Sequence, residues 1–272
     1  MAGGTIRTGV GGWTFPAWRG PFYPKGLRQA DELHYAAAHL GTIEINGTYY
    51  RLQKRASFAA WRDAAPDGFV FAVKASRYCT NRKVLAEAGE AVGKFFAQGI
   101  AELGDKLGPI LWQFAPTKRF DPGDFGAFLE SLPRSCDGVK LRHALEVRHE
   151  SFVCAEFVSL ARKHGMAVVY ADHPEYPAIA DLTADFVYAR LMRSREDITE
   201  GYPAAELDDW ARVAKSWSAG HAPEGLDYVG VREPPAATRE VFAYFISGAK
   251  MRNPAAAIAL AERVTGKREP SG

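Results

Sequence analysis

Short apolar runs that end in a charged or amide side chain, and then break into a loop, recur along this chain. They are Thr42-Ile43-Glu44-Ile45-Asn46, Phe71-Ala72-Val73-Lys74, Ile110-Leu111-Trp112-Gln113, Leu145-Glu146-Val147-Arg148, Val168-Val169-Tyr170-Ala171-Asp172 and Val187-Tyr188-Ala189-Arg190. Runs of four to eight residues rich in β-branched and aromatic types read as buried strands. Parallel α/β folds place their sites beyond the carboxyl ends of the strands. The polar tips therefore mark where a site would lie before they say anything of its chemistry.

Strand-like and helix-like segments alternate from end to end. Strands are expected at residues 6–10, 42–46, 70–74, 110–113, 144–148, 167–171, 186–191 and 241–246. Apolar residues at helical spacing predict helices over 31–40, 91–103, 125–132, 152–164, 207–218 and 254–264, the last with Pro254 at its start. Repeated βα units imply a parallel sheet covered by helices. The chain has 272 residues, 47% of them hydrophobic, which is enough for one large core. The expected fold is α/β, a single-domain TIM-type (β/α)8 barrel over residues 1–265, with an open doubly wound sheet as the alternative. Residues 266–272 read as a flexible tail.

A net charge of +2, with no long block of like charge, gives no electrostatic case for nucleic acid or for an anionic membrane. No apolar run approaches a membrane span, and the first residues lack a signal core. Cys79, Cys136 and Cys154 are odd in number, widely spaced and without a CxxC pair, which argues against a disulfide framework or a zinc knuckle. A soluble, reducing, cytoplasmic setting is expected. Gly9-Val10-Gly11-Gly12 lacks the rest of a phosphate-loop pattern, so no cofactor is expected. Close approach of Trp13 to the barrel is the expected reason for those glycines.

Two connections are long: the loop after the first strand and the one near residues 193–203. The first holds Trp13, Phe15, Trp18, Phe22 and Tyr23, too aromatic for disorder. It reads as a structured cover over the barrel mouth or as a stacking platform for a ligand.

The run Gly11-Gly12-Trp13-Thr14-Phe15-Pro16-Ala17-Trp18, followed by Phe22-Tyr23-Pro24, resembles the start of the DUF72 (YecE-like) proteins. Glu44-Ile45-Asn46-Gly47-Thr48-Tyr49-Tyr50, Phe69-Val70-Phe71-Ala72-Val73-Lys74, Leu111-Trp112-Gln113-Phe114, Glu146-Val147-Arg148-His149 and Ala189-Arg190-Leu191 resemble later segments of the family, in the same order. The resemblance spans nearly the whole chain and implies a TIM-type barrel of unassigned biochemical role. Three positions depart from it. Asn81 follows Thr80 where the family shows Thr-His, Met192-Arg193 stand where it shows His-Gly, and Ile246-Ser247-Gly248 stand where it shows Asn-Asn-Asp.

Strands alternate faces, so Glu44 shares a side with Asn46, and Glu146 with Arg148. With Ile43, Ile45, Leu145 and Val147 under helices, both polar pairs point into the barrel. Lys74 and Gln113 stand at strand ends, and the direction of Arg190 is open. Glu44 and Glu146 are the candidate general acid or base. Trp13, Asn46, Lys74, Gln113, Arg148, Asp172 and Arg190 are candidate ligand-binding residues, Arg offering a bidentate fork to carboxylate or phosphate. The expected function is binding of a small polar or anionic metabolite at the mouth, with acid/base turnover as its catalytic form. The competing readings are a satisfied ion-pair network in a non-enzymatic interaction protein, a carbohydrate-active enzyme using the Glu44/Glu146 pair, and a metal-dependent barrel enzyme. Interleaved Lys and Arg argue against the metal, and no metal ligand is assigned.

Overall fold

The computed structural model describes residues 3–230 and 237–266. Eleven strands run β1 Ile6–Gly11, β2 Thr42–Ile45, β3 Val70–Lys74, β4 Leu107–Gln113, β5 Ser135–Cys136, β6 Val139–Lys140, β7 His143–Glu146, β8 Ala167–Val168, β9 Tyr170–Asp172, β10 Phe186–Leu191 and β11 Glu240–Phe245. Nine of them form one parallel sheet in the order β8-β7-β4-β3-β2-β1-β11-β10-β9. The two ends of that order are the same stretch of chain. β8 pairs with β7 and β9 pairs with β10, with only Val169 between them. The sheet thereby curls into a nearly closed barrel of eight staves, the sixth split at Val169.

Helices α1 Glu32–His39, α2 Gly47–Tyr50, α3 Arg55–Ala64, α4 Arg77–Thr80, α5 Gly89–Ala97, α6 Pro122–Ser131, α7 Ala155–His164, α8 Ala204–Ser218 and α9 Asn253–Thr265 fill the connections. Their starts and stops follow local chemistry. Asp121 Oδ1 accepts from the Asp124 amide ahead of Pro122, and Gly165 ends α7 at φ 64°. The helix expected over 91–103 divides at Gly99, whose φ of 99° ends α5 and starts a 3-10 segment, Ile100–Lys106. The short helices α2 and α4 were not anticipated, nor was α3, which buries Phe58. The tail expected at 266–272 lies outside the described residues except for Gly266, the left-handed cap of α9.

Alternate residues of each stave point inward. Val70, Ala72, Leu111, Ala144, Ala167, Val169, Ala171, Phe186, Tyr188, Phe242 and Tyr244 form one cluster within the barrel. Phe71, Val73, Ile110, Trp112 and Leu145 belong to the larger cluster under the helices. The amino-terminal end of the barrel is plugged by Glu240, which accepts from Arg7 and Arg142, each at 2.6 Å, while Arg142 lies over the Phe186 and Phe242 rings. Higher in the barrel, Thr42 donates its hydroxyl to Val70 O at 2.6 Å and stands 2.9 Å from the Tyr244 hydroxyl.

The glycines of β1 serve the sheet, not Trp13. A Cβ at Gly9 would fall 1.9 Å from Thr42 O, and one at Gly11 would fall 2.8 Å from the Asn46 amide nitrogen. Among the described residues, no helix is long and apolar enough to cross a membrane.

Candidate functional site

At the carboxyl end of the barrel, period-two alternation brings Glu44, Lys74, Gln113, Glu146 and Arg190 inward from five staves. Gln113 pairs in register with Glu146, and Arg190 with Tyr244. Arg190 is the hub. One of its terminal nitrogens donates to Glu44 at 3.0 Å and the other to Glu146 at 2.5 Å. The second Glu44 oxygen accepts from the Tyr188 hydroxyl at 2.6 Å. The second Glu146 oxygen accepts from Arg148 Nε at 2.7 Å, and Arg148 Nη2 lies 2.6 Å from the same oxygen as an ion pair. Arg148 in turn lies 4.4 Å from the centre of the Tyr176 ring, which His173 stacks on from beyond.

The cost of desolvating these charges is met only by close pairing. Burial pushes the Glu146 carboxyl up, but Arg190, Arg148 and Lys74 outweigh it and hold the group below its ordinary value. Arg190, whose burial works against its charge, is held above its ordinary value by Glu146 and Glu44. Burial and the neighbouring Glu44 charge keep the Tyr188 phenol protonated far above its usual range.

Above this network is a cavity of about 820 Å³. Its wall includes Trp13, Asn46, Lys74, Gln113, Arg148 and Arg190, six of the nine side chains singled out from sequence. Arg51 and Lys250 add two cations, and Phe15, Trp18, Tyr49, Tyr50 and Trp61 add aromatic surface. Trp13 meets Trp61 edge-on at 5.4 Å, and its carbonyl accepts from the Tyr23 hydroxyl. The aromatic loop is thus structured: Trp18 and Tyr23 are buried, and Trp18 Nε1 donates to Lys250 O at 2.7 Å.

The remaining three expected residues do not border the cavity. Glu44 and Glu146 are fully enclosed, and each of their four oxygens has a partner. Enclosed beneath Arg190 and Arg148, they have no direct route to the cavity. Asp172 is a clear departure from expectation. Its stave places Val169 and Ala171 inward, so Asp172 shares the outer parity of Tyr170. There its Oδ1 forms an ion pair with Arg193 Nε at 2.8 Å, and burial pushes its carboxyl up to about 6 against the pull of Arg193.

Three partially satisfied groups remain at the cavity floor. Arg190 Nε and Gln113 Oε1 are buried and hydrogen-bond no described residue. Lys74 is 8% exposed, and its ammonium faces the Tyr49 ring at 4.4 Å. Burial, with the Arg190 charge second, lowers Lys74 to about 8, although Glu44 and Glu146 act in the opposite sense. Among the described residues, no group of three or more His, Cys, Asp or Glu is arranged to hold a metal ion.

Sequence reading missed Tyr188, Tyr176 and Lys250. Tyr188 shares the parity of Arg190, which was a usable signal. Tyr176 lies in a loop and Lys250 opens a 3-10 turn, Lys250–Arg252, where period two carries no information.

A family model described as "Protein of unknown function DUF72" matches residues 7–271. The chain belongs to the DUF72 family. No curated protein matches it. Among solved structures, a DUF72 protein from Enterococcus faecalis V583 superposes with a TM-score of 0.71 at 16% identity, covering 96% of each chain. A DUF72 protein from Thermotoga maritima MSB8 gives 0.70 at 23% identity, over 97% of this chain and all of that one, 100%. A structure named SacUVDE gives 0.56 at 9% identity, over 97% and 100% of the two chains. At these identities the likeness concerns the fold. The sixfold strand-tip pattern and the barrel are therefore features of a DUF72 chain, and the reaction is named by none of these relatives.

Proposed function

We propose that this DUF72 protein binds a small anion at the mouth of its barrel, its charge on the floor and any ring or apolar part against the aromatic wall. One observation carries the reading: every charged side chain on the cavity wall is a cation, namely Arg51, Lys74, Arg148, Arg190 and Lys250. The nearby carboxylates, Glu44 and Glu146, are bound below the wall to Arg190, Arg148 and Tyr188; they offset two of these five cations and leave an excess of positive charge at the cavity. In this reading Glu44 and Glu146 act through the two guanidiniums, holding them rigid and charged, and do not touch the ligand. Guanidinium forks with their geometry fixed in advance suit carboxylate or phosphate.

Calorimetry with inorganic phosphate and pyruvate, against neutral glycerol, tests this. Binding of the anions alone is expected, weakened on the order of tenfold by Arg148→Gln and by added salt. Equal binding of glycerol, or anion binding indifferent to Arg148 and Lys250 substitution, would sink the idea. The pH dependence follows from Lys74. An anion favours its charged form, so affinity is full below about 8 and declines as pH rises through that value. Binding near pH 8 should take up protons, and Lys74→Met should abolish both effects.

A further inference from the structure

Lys74 and Lys106 are the two buried lysines among the described residues, each 8% exposed. They are treated oppositely. Lys106 donates to Arg62 O at 2.9 Å and to Ala65 O at 2.6 Å, as a buried ammonium requires. The Lys74 ammonium makes no hydrogen bond or ion pair with any described residue; it faces the Tyr49 ring, and the charges that act on it are Arg190 and Arg148, against it, and Glu44 and Glu146, in its favour. A structural cation would not be left so. An amine that must be free to lose its proton and reach a ligand would be.

We infer that Lys74 is a nucleophilic amine that forms an imine with a small carbonyl compound carrying a carboxylate or phosphate. The inference rests on the anion-binding reading, which supplies the ligand's second handle in Arg148 and Arg190. The lowered proton affinity of Lys74, to about 8, gives it on the order of a hundredfold more free amine at neutral pH than an ordinary lysine. The Nζ lone pair adds to the carbonyl carbon, forming the C–N bond, while the C=O pair moves to oxygen, which takes a proton. Nitrogen releases one proton, the new hydroxyl takes another and leaves as water as C=N closes, and nitrogen then releases its second proton. The sum is amine plus carbonyl giving imine plus water, with no change of oxidation state. Gln113 and Arg190 line the same cavity, and their Oε1 and Nε, an acceptor and a donor without described partners, lie buried behind its wall.

The test is borohydride trapping with pyruvate on the full chain, read by intact mass and peptide mapping. A single stable adduct on Lys74 is expected, suppressed by excess inorganic phosphate and absent from Lys74→Arg and Lys74→Met. Adducts spread over exposed lysines with Lys74 unmodified would overturn the inference, and phosphate binding measured calorimetrically on the same sample would then leave the anion site standing. An adduct on Lys74 that phosphate fails to suppress would retain the amine chemistry and remove the anion site.

Discussion

Arg190 sits between two enclosed carboxylates and satisfies one oxygen of each. Replacing it by Met would leave Glu44 and Glu146 buried without their shared counter-charge, so Arg190→Met should cost about 3–5 kcal/mol at pH 7. Urea unfolding measures this. The deficit should shrink in acid, as the stranded carboxylates take up protons in the variant; a variant as stable as wild type at neutral pH would show that the network is not needed for folding. Ser247 presents a different case. It adopts φ 62°, a left-handed conformation that Asn tolerates better, and it occupies the region where the family pattern shows Asn. Ser247→Asn should raise stability by about 0.5 kcal/mol, visible as a higher urea midpoint. Lys74, Arg148 and Arg190, ligand-binding candidates from sequence, line one cavity. Asp172, expected among them, takes the outer parity, because Ala167, Val169 and Ala171 face inward without a break across the split stave.

Period-two alternation placed the staves, because a strand buried on both faces must still choose which side chains enter the barrel. It could not show why β1 carries glycines. Gly9 admits the backbone of β2 so closely that an added methyl would fall inside Thr42 O, whose residue also ties Val70 and Tyr244. Gly9→Ala should therefore cost roughly 2–4 kcal/mol, well beyond the usual propensity penalty. A urea midpoint within experimental error of wild type would mean that β1 and β2 can part without loss. The helix α3 escaped notice because it follows a short loop and α2 with little punctuation, whereas the break at Gly99 was signalled by a glycine that periodicity alone passes over. The connections that carry Tyr176 and Lys250 have no period-two pattern to betray them.

For the whole molecule, acid should be the sharpest environmental stress in one window. His143 is buried, receives Trp112 Nε1 at Nδ1 and faces Pro133 O through Nε2, and burial lowers it to about 4. An unfolded His titrates near 6.5, so the stability held above that pH is lost as pH falls toward 4, by about 3 kcal/mol in all. Asp172, raised to about 6, runs the other way between its ordinary value and 6. The difference between wild type and His143→Gln isolates the histidine: unfolding free energies at pH 7 and 4.5 should fall less in the variant. Parallel slopes would remove His143 as the cause. The barrel itself was legible from eight alternating units, since few folds accept that order; the nearly closed sheet confirms a shape that composition had only allowed. One bond carries a consequence for how such a chain is made. Trp18, from the first connection, donates to Lys250, from the last. The rim of the cavity is thus joined by residues 232 positions apart, so it cannot be assembled before the segment that carries Lys250 has been made.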